Sequence, residues 1–453
     1  MKALESRGLT GDHFGNEGVS SKLRLGPDET IDFEAWEFFV RAAVLSQGAK
    51  ALERLVEGVG AGRQSKPVVC RCGGKMDSEG LKAKTITTVV GPVGFSRSLY
   101  TCPRCHAARF PGDERLGVVE TSFSPGAQRM MARAGSRDSY REAAENLNLY
   151  AKLEVTGKDV ERVAKRLGAQ VGQWMQRQGA KAQLYEAAGM GQPQAGDAAP
   201  ILYISFDGTG VPMRSEELTG VKGKQSDGSA RTREVKLGCV FTQTGLDKQG
   251  RPLRDPASTT YTGAIEDSQR FGVRIAREAL RRGVSQAGKV VCLTDGAKYN
   301  KTIIAEHFPE ATHVIDLYHA REKLCEVSKL LLAESEREER EKQWLALLDQ
   351  GAIESLVGQI SAHTPRSGTR RKEVLKRVGY FKDNAPQMRY GQFRAQKFFI
   401  GSGVIEAGCK TLIGKRLKNS GMFWSRAGAN AVIALRCCQY SGRFEQFWED
   451  AAA

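Results

Sequence analysis

Between Ile201 and Tyr318 the sequence alternates short apolar runs with amphipathic stretches, and this alternation constrains the fold more than any other feature of the chain. ILYISF, EVKLGCVFT and STTYTGAIED read as three successive strands. DSQRFGVRIAREALRR then reads as a helix, KVVCLT as a strand, NKTIIAEHF as a helix and THVIDLY as another strand. Strands in sequence followed by strand–helix–strand units predict an antiparallel meander running into βαβ connections. The fold class is α/β: a mixed sheet flanked by helices.

Two aspartates are placed by that pattern. Asp207 is expected to end ILYISF and is followed by Gly208; Asp295 is expected to end KVVCLT and is followed by Gly296. Open α/β sheets put ligand sites at the carboxyl ends of their strands, and glycine permits a sharp exit turn there. A carboxylate beside a buried strand is costly unless its charge is compensated. Divalent cations supply that compensation, and Mg²⁺ favours carboxylate oxygens together with substrate phosphates. Two ions about 4 Å apart can activate an attacking hydroxyl and stabilise the leaving oxygen of a phosphoryl transfer.

A third carboxylate is needed, and Glu406, in GSGVIEAGCKTLIGKRLKNSGMFW, is the candidate. On one continuous helix Glu406, Lys410, Ile413 and Leu417 share a face, with the apolar pair on the sheet and Glu406 at its rim. Lys410, Lys415, Arg416 and Lys418 form a basic cluster suited to phosphates. Asp316 and His319, in DLYHA, are accessory candidates: the first as a metal ligand, the second as a proton shuttle or phosphate contact. Trp424 is a candidate for stacking on an exposed base, with core packing as the alternative.

Upstream, Cys70 and Cys72 in CRC and Cys102 and Cys105 in CPRC bracket a β-rich stretch. Two close thiol pairs on a hairpin are the layout of a zinc ribbon, with four thiolates holding structural Zn²⁺. His106 is adjacent and competes as a ligand. The remaining cysteines, 239, 292, 325, 409, 437 and 438, lie in apolar or helical contexts and read as packing residues. A helix is predicted from about Thr30 to Gly58, and two more around Ser139–Tyr150 and Thr156–Gln176. The last opens on a Thr156/Asp159 capping signal. As a helix-turn-helix, its second helix would bring Lys158, Arg162, Lys165 and Arg166 to DNA.

Lys and Arg number 68 against 52 Asp and Glu, a formal charge of +16, which points to a polyanionic partner. No apolar run approaches the ~20 residues that span a bilayer, and no signal-peptide pattern opens the chain, so a cytoplasmic, nucleoid-associated protein with reduced cysteines is expected. The expected divisions are a tail and helix (1–62), a zinc-ribbon-like domain (63–118), a helical DNA-binding region (119–188), a catalytic core (198–319), a charged helical segment (320–395) and a C-terminal helical part of the core (396–453). Residues 1 to about 30 read as loosely ordered, and Gly189–Pro200 as a linker.

FDGTGVPM, TDGAKYN, DLYHA, and GSGVIEAGCK leading to NSGMFWSRAGANAVIALR together resemble the ISKra group of bacterial insertion-sequence transposases, over roughly residues 120 to 450. The resemblance implies a ribonuclease H-like core with Asp207, Asp295 and Glu406 as a DDE triad. It implies that DLYHA is the D-x-x-H element of Mutator-like relatives and that residues 320–395 are a helical insertion. The function it implies is binding of terminal inverted repeats, then cleavage and strand transfer with two Mg²⁺ (or Mn²⁺) ions. The partners are double-stranded DNA, as transposon ends and target, and a second copy in a homodimer or larger assembly. The alternatives are a ribonuclease H-like nuclease or resolvase without strand transfer, and a domesticated DNA-binding regulator.

Overall fold

A computed structural model describes residues 32–190, 200–223, 225 and 228–452. The N-terminal tail and most of the expected linker lie outside the described residues. The chain divides into two compact units, Met1–Ala164 and Lys165–Ala453, with the boundary inside a long helix.

In the first unit α1 (Phe33–Val59) starts where Asp32 accepts a hydrogen bond from the Ala35 amide at 3.0 Å. Strands β1 (Val68–Val69), β2 (Lys75–Thr88), β3 (Gly91–Thr101) and β4 (Ala108–Arg109) follow in one antiparallel sheet of that order. Ala49 of α1 joins Ile86, Val93, Phe95 and Val118 in a buried cluster over the β2–β3 hairpin. Next come α2 (Pro125–Arg137), α3 (Tyr140–Ala151) and α4 (Gly157–Ala187). Ser139 and Glu142 form a reciprocal capping box at α3. The predicted Thr156/Asp159 signal is present: the Asp159 amide donates to Thr156 Oγ1 at 3.2 Å and the Thr156 amide to Asp159 Oδ2 at 3.1 Å. Continued helical propensity carries α4 past Gln176 to Ala187.

The second unit contains the mixed sheet. Its strands are β5 (Ile201–Pro212), β6 (Thr232–Leu246), β7 (Pro252–Arg254), β8 (Thr260–Ala264), β9 (Lys289–Thr294) and β10 (Thr312–Ile315). The order is β10-β9-β5-β6-β7, with β8 also paired to β6. β5 is antiparallel to β6 and parallel to β9, and β9 is parallel to β10. The meander therefore runs into βαβ units through α5 (Ser268–Arg281) and α6 (Lys298–His307). Leu202, Ile204 and Phe206 bury one face against Phe271 and Ile275 of α5 and Ile303 and Ile304 of α6. The STTYTGAIED strand is only five residues long, and β7 is a short edge strand that the Pro-containing RPLRDP did not signal.

Beyond β10 the expected helical stretch is α7 (Leu317–Leu331), α8 (Glu334–Gln350), α9 (Ile353–Ala362) and α10 (Thr369–Asp383). Trp344, Leu348, Leu356, Ile360, Val374 and Phe381 are fully buried within it. The chain then returns in α11 (Gly403–Gly408), a π-helical segment Cys409–Gly414, α12 (Arg426–Tyr440) and α13 (Phe444–Ala452).

Candidate active site

Asp295 follows directly on β9, as expected. The exit is a turn in which Gly296 has φ +83°, and a Cβ there would come within 3.0 Å of Ile315 Cδ1. One Asp295 oxygen accepts from the Ala297 amide (3.0 Å) and from Asn300 Nδ2 (2.6 Å), which fixes the carboxylate in that turn.

Asp207 departs from expectation. It does not end its strand: β5 continues to Pro212, paired with β6 through Asp207↔Leu237 and Gly208↔Lys236. Gly208 is an in-strand residue, because the long β6 keeps supplying hydrogen-bond partners after β9 has ended. What stops near Asp207 is the parallel half of the pairing, whose last registered pair is Ser205↔Leu293. Asp207 and Asp295 each lie two residues beyond that pair. Asp207 is held above the usual carboxylate range, first by burial and then by the Asp295 charge.

Asp316 is 1% exposed and both its oxygens are engaged. Oδ1 accepts from the His319 amide at 2.7 Å, capping α7, and Oδ2 accepts from the Ser402 amide. Ser402 Oγ in turn donates to Glu406 Oε1 at 3.1 Å. Asp316 thus ties the DLYH turn to the start of α11. At the other end of α11 the Cys409 thiol donates to Asp207. Glu406, exposed, lies between these two anchors, about 4.5 Å of helix axis before Cys409. The His319 side chain is half-buried and lies within electrostatic reach of Asp207.

The expected continuous helix from Glu406 to Leu417 is not formed. The chain widens to i→i+5 hydrogen bonding over Cys409–Gly414, which breaks the single face on which Glu406, Lys410, Ile413 and Leu417 were placed. Cys409 faces inward as a result. Its thiol, pushed up by burial and by Asp207, has a polar partner and is more than a packing residue.

The basic cluster also divides. Lys410, Lys415 and Lys418 are exposed, and Lys418 Nζ donates to Thr209 Oγ1, two residues along β5 from Asp207. Arg416 is 1% exposed, with its guanidinium 5.0 Å from the Trp424 ring centre and Nη1 on Met422 Sδ at 3.5 Å. Burial removes it from the phosphate-facing set. Trp424 is 6% exposed and donates Nε1 to the Leu417 carbonyl at 3.1 Å, so packing is its role. Along α4, Lys158, Arg162 and Arg166 are exposed, Arg162 paired with Asp159 at 2.8 Å, while Lys165 is half-buried.

Sequence reasoning missed three groups here. Tyr299 lies within electrostatic reach of Glu234, Asp295, Asp207 and Cys409. Buried Lys236 pairs with Glu234 and sits 4.5 Å from the centre of the Tyr299 ring. TDGAKYN carried Tyr299 in plain view, but nothing in EVKLG separates Lys236 from an ordinary strand lysine.

In the first unit the four thiols come together. Cys70 Sγ is 3.5 Å from Cys105 Sγ, and Cys72 Sγ is 3.6 Å from Cys102 Sγ; all four lie within 4.8 Å of one another. Sulfurs about 3.8 Å apart are what four Zn–S bonds of ~2.3 Å to one tetrahedral ion require. Amides at Cys105 and Arg104 pull Cys102 down to about 7. Cys105 is favoured as thiolate by the Ala107 amide, yet the neighbouring sulfurs push it up to about 12. Crowded thiols that cannot all ionise alone can do so around a dication. The cluster can hold zinc, and exposed His106, at φ +57°, turns the chain outside it. Among the described residues these cysteines are the only such compact group; Asp207, Asp295 and Glu406 are more widely spaced.

No family model matches the chain, and no curated protein matches it. Among solved structures, the Drosophila P element transposase strand transfer complex matches over 75% of this chain and 84% of that chain, at 9% identity and a TM-score of 0.23. That superposition is too slight to carry fold or function across. The chain is an α/β protein with acidic residues following two of its parallel strands and a thiol cluster. No described helix is long and apolar enough to cross a membrane.

Proposed function

We propose that the chain is a metal-dependent DNA transposase with a ribonuclease H-like core, of the ISKra kind. The observation that carries the reading is that Asp207 and Asp295 both lie two residues beyond the last β5–β9 pair, within electrostatic reach of each other. A meander continuing into two parallel strands supports the core assignment. Support for Glu406 comes from α11, which packs on β5 and β6 and is anchored to Asp316 and Asp207 at its two ends.

Asp207 and Asp295 are hard oxygen donors in a half-buried setting where their repulsion calls for a cation, which fits Mg²⁺ or Mn²⁺. Glu406 would complete the set. When bound, two such ions supply activation of a water or 3′-hydroxyl and charge stabilisation of the leaving oxygen. The protein's own part is positional. Asn300 and Ser402 hold Asp295 and Glu406, Cys409 holds Asp207, and Asp316 fixes the helix starts; Lys418, Lys410 and Lys415 would meet phosphates. Lys158, Arg162, Lys165 and Arg166 would read the element's ends, and a dimer or larger assembly would pair two of them.

The test is cleavage and joining of end DNA in Mg²⁺. Pre-cut ends that are joined to target separate a transposase from a nuclease or resolvase. Binding without either reaction would make the chain a DNA-binding regulator.

A further inference from the structure

Side chains alternate along β5, so Phe206 and Asp207 point to opposite faces of the sheet. Asp207 meets Cys409 on one face; on the other, Phe206 packs on Phe271 of α5 with ring centres 5.8 Å apart. On the α5 side lies a cavity of about 410 Å³, lined by Gln176 of α4 and by Arg270, Arg274 and Arg277 of α5. Gln176 and Arg277 also line an adjoining groove with Gln173 and Arg177. The helices are close here: a Cβ on Gly179 would come within 2.9 Å of Arg277 Cβ.

The charges in this wall do not cancel. Glu266 is taken by Arg274, with Nε at 2.5 Å and Nη2 at 2.9 Å. Glu278 is taken by Arg281 and, at 3.8 Å, by Arg443. Both carboxylates of the cavity are thereby matched. Three guanidiniums remain over. Arg277 Nε donates to the neutral Gln183 Oε1 at 3.1 Å. Among the described residues Arg270 has only exposed Asp267, at 3.6 Å, a pair of little energetic weight. Arg177 is exposed and has no acidic partner among the described residues.

We propose that this seam binds the phosphate backbone of duplex DNA, on the face of the sheet away from the carboxylates. Planar guanidinium forks match phosphate oxygens in two-point contacts, and the Gln173 and Gln176 amides add neutral donors. Arg270 and Arg277 are two turns apart, about 10.5 Å, so they reach different phosphates. A lining of guanidiniums and amides contacts backbone and confers affinity without sequence preference. The choice of DNA as the polyanion rests on the function proposed above. The second unit thereby grips a stretch of duplex distant from the reacting phosphate.

The test is fluorescence anisotropy of the full chain with a short duplex of arbitrary sequence over a salt series. Combining Arg177→Gln, Arg270→Gln and Arg277→Gln should make the slope of log K against log salt shallower by roughly two to three units, since each phosphate contact contributes about 0.9. The matching Arg→Lys triple variant should keep the wild-type slope. A Gln triple variant with the wild-type slope overturns this site and leaves the proposed function standing. Wild-type protein that binds no duplex at any salt overturns both.

Discussion

The thiol of Cys409 donates to the carboxylate of Asp207, joining the first residue of the π-helical segment to the middle of β5. Burial and the Asp207 charge push that thiol upward, so it stays protonated and keeps donating at neutral pH. One widened turn thus fixes the acid whose strand runs on beyond it. Single-turn insertions of this kind recur at functional sites.

Asp295→Asn preserves the shape and the Asn300 contact but removes the charge. Mg²⁺-dependent cleavage should fall on the order of 10³-fold, as expected for losing several kcal/mol of transition-state charge stabilisation. Binding of end DNA in a mobility-shift assay should be largely retained. Unchanged cleavage would remove Asp295 from the site.

Arg416 and Lys418 are two residues apart and should behave oppositely. Arg416→Ala empties a buried position against Trp424 and should cost about 3 kcal/mol in urea denaturation without altering the salt dependence of DNA binding. Lys418→Gln should leave stability within about 0.5 kcal/mol and flatten the salt dependence by about one unit. An exchange of these phenotypes would refute the division of the basic cluster.

Zinc analysis of the purified chain should give one ion per chain, and Cys102→Ser should bring the content close to zero. Chelation should melt the β2–β3 hairpin in hydrogen-exchange measurements, because a hairpin of this kind draws its folding energy from the metal. Full protection after chelation would show that the buried Val68, Met76 and Tyr100 suffice.

His313 supplies a pH dependence. Burial lowers it to about 4, with its Nε2 2.9 Å from Thr294 Oγ1. The unfolded chain takes up that proton near pH 6.5, so stability is complete above that value and is lost as pH falls toward 4. The loss at pH 5 should be about 2 kcal/mol. Denaturation midpoints at pH 7 and pH 5 measure it, and His313→Gln should flatten the slope.

Much of the architecture was legible in the sequence because periodicity reports burial directly. ILYISF, EVKLGCVFT and KVVCLT are strands because each must bury at least one face, and the Thr156 and Asp159 pair announces a helix start through local hydrogen bonds alone. The cysteine pairs were equally plain, since two close thiol pairs around a β stretch have few other uses. β7 escaped because three residues flanked by proline carry no periodic signal.

By itself the sequence determined which segments are strands and helices, that Asp295 leaves a strand through a glycine turn, and that four thiols belong together. Those properties depend on neighbours in the chain. Only the tertiary structure decided that β5 runs past Asp207, since its length is set by the partner strand β6. It alone buried Arg416, turned Cys409 onto Asp207, and tied Asp316 to Ser402 across the end of the sheet. Each of those outcomes depends on a group far away in sequence, and no local pattern records it.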